Sequence, residues 1–311
     1  MKSDTFHGIS SKVKRFDISL LYIIDSYKFT FEVRTWQILF LLLYQAKNNK
    51  IWGIRKGNAD MNTMTIISVI MTIIILGILY WRMVKREIPE PVGWQQALIP
   101  IAIGMVSFPI TIPFSMGHMK SLANDPNALK LSELNFFQAL WRDLILAGGL
   151  EEIAKLLMIL VILFIFRNKV KNVYEFILIG ACVGIGFAIA EEYFYGSGEE
   201  ANILTIVLRT ISVPAHMTFN MVMAEFLGRA RISKLSGKGS PVIYYLLAIL
   251  VPITVHTLYD VTTAFNSSLM RGEMKGFIVA AIGYVCLLVY EFVVLIRCKK
   301  KTAAFCAMRT L

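Results

Sequence analysis

Long apolar stretches follow one another along the chain from residue 64 onward. A helix needs about 20 apolar residues to cross the ~30 Å hydrocarbon core of a bilayer, and these stretches reach that length. We therefore predict an all-α, polytopic transmembrane helix bundle with about seven spans. The predicted spans lie near 64–81, 95–114, 143–166, 174–195, 203–227, 241–263 and 276–296.

The first 60 residues have a different pattern. They mix charged residues with aromatic ones, and their one apolar run, Trp36 to Tyr44, is too short to span a bilayer. We interpret 1–60 as an N-terminal arm outside the bundle, or as the product of an upstream start codon with Met61 or Met64 beginning the protein. At the other end, we expect 301–311 to form a basic cytoplasmic tail.

The composition agrees with a membrane protein. Of the 311 residues, 56% are hydrophobic and 17% are charged, and the mean hydropathy is +0.61. This is more apolar surface than a soluble domain can bury, so lipid must solvate part of it. The composition therefore disfavours a soluble enzyme.

The excess of positive charge, formally +11, is concentrated in short clusters between the predicted spans. Clusters of Lys and Arg in short loops mark the cytoplasmic side of membrane proteins. They follow alternate spans here, at 82–86, 167–171, 229–238 and 297–301. We expect the opposite loops, including 196–202 and 264–275, to be extracytoplasmic. The charge thus indicates topology and not a nucleic-acid ligand, in a multi-pass integral membrane protein.

Ionisable residues recur inside four of the predicted spans. Each costs roughly 2.5–3.5 kcal/mol at the bilayer centre on an insertion scale, so each calls for a physical reason. In order along spans three to six they are Glu151, Glu152 and Lys155; Glu191 and Glu192; His216 with Asn220; and His256 with Asp260. Buried ion pairs that only orient helices would be the simpler interpretation. Carboxylates and two of the four histidines on successive spans instead favour a functional cluster.

The spacing and depth of these residues predict that they meet. Glu151 and Lys155 are four residues apart, as are the two pairs begun by His216 and His256, so each pair shares one helix face. At a rise of about 1.5 Å per residue from the outward end of each span, Glu151 lies ~12 Å deep, Glu191 ~6 Å, His216 ~19 Å, His256 ~10 Å and Asp260 ~4 Å. We predict one cavity that opens to the extracytoplasmic side.

Such a cavity can support peptide hydrolysis. A glutamate beside another carboxylate or an apolar wall can take a proton from water, while Lys155 neutralises its partner. Histidines on facing helices can stabilise an oxyanion or protonate a leaving amine. A serine mechanism fits less well, because no nucleophile elbow surrounds Ser212. A metal stays open as an alternative: the HExxH signature is absent, but His216, His256 and a glutamate of another span can converge on zinc.

The order of these motifs resembles the PrsW family of intramembrane proteases. The likeness rests on EExxK at Glu151, Glu152 and Lys155, on FAxxE ending at Glu191, and on His216 and His256 in two later spans. It covers roughly residues 64–297. More distantly, the paired glutamates and HxxxN are similar to those of the CAAX prenyl proteases. One position departs from the family pattern, since Glu192 stands where the family more often has asparagine.

This resemblance implies a membrane-embedded endopeptidase that cleaves a membrane-anchored protein near the extracytoplasmic side. Bacterial relatives of this type are linked to anti-sigma factors, so the resemblance also implies a bacterial or archaeal plasma membrane. The expected protease-like domain is 61–300, its partners are the substrate and the lipid bilayer, and nucleic acid is not among them. The catalytic candidates are Glu151, Glu152, Glu191, His216 and His256, with Lys155, Asn220 and Asp260 in support. A glutamate-activated water needs no cofactor, whereas a metal-dependent version would hold zinc through His216, His256, Glu152 and Glu191.

Two other classes of function use similar residues. Carboxylates and histidines inside spans also build the proton relays of transporters and channels. Transporters often contain internal repeats with broken helices, and this sequence has no convincing repeat beyond its two Hxxx-polar pairs. A catalytically silent scaffold that binds membrane peptides in the same cavity is distinguished from an enzyme only by an activity assay.

Overall fold

The structure, a computed structural model, describes residues 61–86, 94–123, 134–196, 209–263 and 274–309. Its regular elements are helices, which confirms the predicted all-α bundle. They are α1 (Met61–Val84), α2 (Trp94–Ala123), α3 (Phe136–Asp143), α4 (Leu150–Ile165), α5 (Val173–Gly196), α6 (Pro214–Ser236), α7 (Pro241–Thr263) and α8 (Met274–Ala307). The predicted N-terminal arm and residues 197–208 lie outside the described residues.

Five of these helices are long and apolar enough to cross a membrane, namely α1, α2, α5, α7 and α8. All but α5 turn large apolar side chains outward, and Ile66, Phe114, Val242 and Val289 are each more than half exposed. A continuous apolar exterior of this kind requires lipid and not water around it. The chain is therefore an integral membrane protein.

The other two predicted spans have a different character. The span predicted at 143–166 is the C-terminal part of a longer helical segment that begins at Phe136. In this segment a π-helical turn, Leu144–Gly149, joins α3 to α4. The span predicted at 203–227 corresponds to α6, most of whose residues are buried, including Glu225 and Ser233. Because neighbouring helices shield α6 from lipid, its side chains do not have to be uniformly apolar.

Helices α6 and α8 extend past the predicted ends of their spans into the basic clusters that follow. Helix α6 continues past 227 to Ser236, so Arg229, Arg231 and Lys234 lie on the helix and not in a loop, and Gly237 ends it with a φ of 67°. Helix α8 continues past 296 to Ala307, so most of the predicted tail is helical. The physical reason for both is Glu225, which accepts hydrogen bonds from Arg229 Nε at 2.7 Å and from both terminal nitrogens of Arg297 at 2.5 Å.

Helix α5 lies at the centre of the bundle, packed against α1, α2 and α6. Its glycines permit close approach: a Cβ on Gly180 or Gly184 would collide with the main-chain oxygen of Asn220 or His216 on α6. A Cβ on Gly186 would collide with Ile101 of α2 in the same way. The small residues of α5 therefore set how near the α6 backbone, and with it His216, comes to the glutamates of α5.

Candidate active site

The π-helical turn before α4 places the two adjacent glutamates against α7. A Cβ on Gly148 would lie 2.9 Å from the main-chain oxygen of Ile253 and 2.9 Å from the nitrogen of Thr257, one residue past His256. A Cβ on Gly149 would collide with the main-chain oxygen of Leu144, at the other end of the π turn. Only glycine allows this contact, and π turns are frequent at functional sites.

Glu152 is the fixed centre of the cluster. Its Oε1 accepts from Lys155 Nζ at 2.7 Å and lies 2.8 Å from His256 Nδ1, and its side chain is fully buried. Since an ionised carboxylate only accepts, Nδ1 of His256 must carry a proton. This leaves Nε2 of His256 facing two other carboxylates, Asp260 Oδ2 at 3.4 Å and Glu151 Oε2 at 3.9 Å.

Glu151 is held more loosely than its neighbour. Its nearest cationic partner is Lys155 Nζ at 3.4 Å, and 16% of its side chain is exposed. It therefore keeps part of its carboxylate accessible, whereas Glu152 is enclosed by protein. The structure in this way distinguishes an accessible glutamate from an enclosed one.

His216 connects the Lys155 group to α5. Its Nε2 lies 2.6 Å from Glu191 Oε2, and its Nδ1 lies 3.2 Å from Lys155 Nζ. Because the ammonium can only donate, Nδ1 accepts a hydrogen bond from it. Nε2 therefore carries the ring proton and donates a hydrogen bond to Glu191. Phe187 supports both groups, with Lys155 Nζ 3.7 Å above its ring and the His216 ring 5.0 Å away.

The structure thus brings all five predicted catalytic candidates together. The His216 and His256 rings are 5.4 Å apart, at the end of the bundle where α4 begins and α5 ends. Helix α6 begins at Pro214, in the first turn where proline is favoured, so His216 lies near the start of that helix. The predicted depth of ~19 Å for His216 stays a prediction. Lys155 and Asp260 contact the cluster as expected, while the amide of Asn220 donates to the main-chain oxygen of His216.

Sequence reasoning missed three residues around this cluster. Arg209 lies 3.2 Å from Glu191 Oε1 and 2.8 Å from Glu192 Oε1, and Ser68 of α1 donates to Glu192 Oε2 at 2.5 Å. Asp143, at the end of α3, is fully buried and lies 3.2 Å from Arg142. The sequence did contain a signal for Arg209 and Asp143, because each is a charged residue inside a predicted span. Nothing in the sequence distinguishes Ser68 from other serines.

Three side chains have the composition of a metal site: Glu151, His216 and His256 place one potential ligand atom each within 4.8 Å of one another. Their surroundings do not fit an ion. Both ring nitrogens of His216 are already hydrogen-bonded, and the Lys155 ammonium contacts two of the three groups. At ~4 Å a divalent ion and an ammonium repel by about 8 kcal/mol at an effective dielectric constant near 20. The present arrangement therefore holds Lys155 where a metal would need room.

Comparisons with known proteins identify the family of the region that carries this cluster. The family model described as "PrsW family intramembrane metalloprotease" matches residues 93–294, which begin at the N-terminus of α2 and include all five clustered candidates. The protein named "Protease PrsW" of Halalkalibacterium halodurans is 29% identical over 135 residues, covering 42% of this chain and 58% of that relative. No solved structure matches significantly. Since the family model covers well over half of the sequence, the chain belongs to the PrsW family of intramembrane metalloproteases.

Proposed function

We propose that the chain is a membrane-embedded endopeptidase that cleaves a membrane-anchored protein near the extracytoplasmic side, using a water activated by a glutamate. The observation that carries this proposal is the division between the two adjacent glutamates. Glu152 is enclosed and holds Lys155 and His256, while Glu151 is loosely held and partly exposed beside them. A general base needs an accessible oxygen together with fixed neighbours, and this pair supplies both.

In the proposed reaction, Glu151 takes one proton from water as the water oxygen attacks the carbonyl carbon of the scissile peptide. His256 acts as an imidazolium: its Nδ1–H donates to Glu152, which orients the ring, and its Nε2–H donates a hydrogen bond to the developing oxyanion. Glu151 then gives its proton to the nitrogen of the leaving amine as the C–N bond breaks. The immediate products are a carboxylic acid, which keeps the second proton of the water, and a free amine. The acid then gives that proton to the amine or to solvent, and Glu151 has returned to its ionised form.

Lys155, Glu191 and His216 complete this arrangement. The Lys155 ammonium balances the charge of the two adjacent glutamates. It is fully buried and has partners on α4 and α6, so it also fixes the separation of these helices at the site. His216 keeps the ammonium in place by accepting from it, and Glu191 orients His216. None of these steps requires a metal ion.

The substrate follows from where the cluster lies. The glutamates and histidines are near the end of the bundle that the Lys and Arg pattern predicts to be extracytoplasmic. A scissile bond there would belong to a membrane-anchored protein cut just outside or within the outer half of the bilayer. Anti-sigma factors, the substrates linked to bacterial relatives by the family resemblance, are proteins of this kind and are the substrate class we propose.

The test is cleavage of a membrane-anchored reporter by purified protein in which Glu151 is replaced by glutamine. We expect Glu151→Gln to lower kcat by at least about 10³-fold, since it removes the base while keeping size and most hydrogen bonds. The matched control is Glu291→Gln, which changes another carboxylate buried in the membrane part but on α8. Cleavage by Glu151→Gln at the control rate would overturn the base assignment, and chelator-sensitive cleavage restored by zinc would replace it with a metal mechanism.

A further inference from the structure

We propose that Ser68 and Glu192 are positioning residues, which act through Arg209 and Glu191 to fix the tautomer of His216. Ser68 lies on α1, and α1 precedes the residues 93–294 that the family model matches. A helix outside the matched region would thus contribute to the site. This role rests on the proposed function for its effect on rate, but its structural part can be measured without any cleavage.

The connection is a continuous chain of charge-assisted contacts. Ser68 Oγ donates to Glu192 Oε2 at 2.5 Å, and Arg209 Nη2 lies 2.8 Å from the other oxygen of that carboxylate. The same Nη2 lies 3.2 Å from Glu191 Oε1, and Glu191 Oε2 lies 2.6 Å from His216 Nε2. Each carboxylate therefore uses one oxygen toward Arg209 and the other toward a different helix.

Burial holds most members of this series of contacts in fixed positions. Ser68 is fully buried and Glu192 nearly so, in the packing between α1 and α5, whereas 27% of the Arg209 side chain is exposed. Arg209 contacts both of the adjacent carboxylates, Glu191 and Glu192, so its position depends on both of them. Ser68 fixes the rotamer of Glu192, which leaves the second oxygen aimed at Arg209. Contacts between ionised groups in a buried setting are stronger and more directional than those at a surface.

These contacts determine the tautomer of His216. With Glu191 Oε2 fixed beside Nε2, the proton of the neutral ring stays on Nε2, and Nδ1 can accept from Lys155. In the other tautomer, an N–H on Nδ1 would point at the ammonium, and Nε2 would present a lone pair to a carboxylate. Lys155 would then lose its contact with α6, and the charge balance beside Glu151 would change.

Glu192 is the position where the sequence departs from the family pattern, and the chain of contacts gives that departure a role. An asparagine side chain is one methylene shorter and offers one oxygen acceptor, so it could not accept from Ser68 and Arg209 through two oxygens as Glu192 does. The carboxylate of Glu192 is therefore matched to α1, because α1 supplies the Ser68 hydroxyl that donates to it.

The experiment compares Ser68→Ala with Thr72→Ala in the full chain. Thr72 lies four residues along the same buried face of α1, and its Oγ1 has no hydrogen-bond partner among the described residues, so it controls for loss of a small buried hydroxyl side chain. Two readouts are used: kcat and KM for the reporter, and the histidine ¹⁵N spectrum of selectively labelled protein. The chain has four histidines, and His216→Gln assigns the signal of interest.

We expect Ser68→Ala to lower kcat about tenfold with KM nearly unchanged, and to shift the His216 signal away from the pure Nε2–H form. Glu192→Gln should do the same, Ser68→Thr should restore both readouts, and Thr72→Ala should move neither. Equal spectra for Ser68→Ala and Thr72→Ala, with His216 in the Nε2–H form in both, would overturn the proposal. A protein that shows the expected spectra but cleaves nothing would instead contradict the proposed function.

Discussion

Lys155 of α4 and His216 of α6 face each other in the interior of the bundle, with the ammonium nitrogen 3.2 Å from Nδ1 of the imidazole. A protonated amine and a ring nitrogen at this distance need the ring to accept, so Nδ1 has no lone pair left for another cation. The same ammonium lies 2.7 Å from Glu152. Lys155 therefore takes the place, and much of the electrostatic role, that a metal would have among these side chains.

Replacing Lys155 with methionine tests this directly. The variant keeps a long apolar stem but frees Nδ1 of His216 and removes a charge beside Glu151. We expect the wild-type protein to purify without stoichiometric zinc and Lys155→Met to bind about one zinc per chain, because two imidazoles and a carboxylate then surround an uncompensated negative site. Metal content by mass spectrometry is the measurement.

The matched control for this variant is Lys169→Met, which removes a lysine whose ammonium lies over Phe166 and away from the site. It should leave metal content unchanged. Stoichiometric zinc in the wild-type protein, lost on substitution of His216 or His256, would show that the ammonium does not exclude an ion.

The contact between the π-helical turn and α7 gives a second prediction. In Gly148→Ala the new Cβ would lie 2.9 Å from two main-chain atoms of α7, so one backbone has to move. We expect a loss of about 1–3 kcal/mol in the free energy of unfolding and a large fall in cleavage, because the shift displaces Glu151 from His256. Gly77→Ala on α1 is the control: nothing lies within 4 Å of its Cβ, and alanine is the better helix former. Equal thermal unfolding midpoints for the two variants in detergent would contradict this prediction.

The predicted topology can be tested in intact cells. Single cysteines at positions 199 and 234 are introduced into a chain whose four native cysteines have been replaced. We expect the cysteine at 199 to react with an impermeant reagent and the one at 234 to be protected, because basic clusters remain on the cytoplasmic side. Position 234 is exposed near the end of α6, so protection there reflects the membrane and not burial. Labelling with the reverse pattern would place the clustered glutamates near the cytoplasm.

The sequence predicted much of the fold because lipid imposes a simple rule on length and apolarity. The spans facing lipid, such as 95–114 and 241–263, agree with α2 and α7 at one end or both to within a few residues. Helix α6 was placed less well, because its neighbours shield it and charges such as Arg229 do not mark its end. The π-helical turn at Leu144–Gly149 was not predicted, since its cause is the contact of Gly148 with α7 and not a local pattern.

The grouping of the candidate site residues was predictable for a different reason. A buried charge in a membrane needs a partner, so Glu151, Lys155 and His256 had to find one another or a cavity. The pairing within the group was not predictable: the sequence treats Glu151 and Glu152 alike, and only the direction of α4 encloses one of them. Neutral residues such as Ser68 carry no such requirement, which is why three-dimensional contacts were needed to find it. The catalytic roles stay predictions.

Shielding of α6 by its neighbours has a consequence for how the protein is made. A helix carrying His216, Glu225 and Arg229 is a poor candidate to leave the translocation channel for lipid alone, because Glu225 and Arg229 would have only each other as partners and His216 would have no carboxylate partner. Its partners emerge at different times: α5 is synthesised before it, whereas Arg297, which pairs with Glu225, comes some 60 residues after the end of α6. We expect α6 to stay at the channel, against α5, until α7 and α8 have been made, so that membrane integration of the second half of the chain is a late and concerted event.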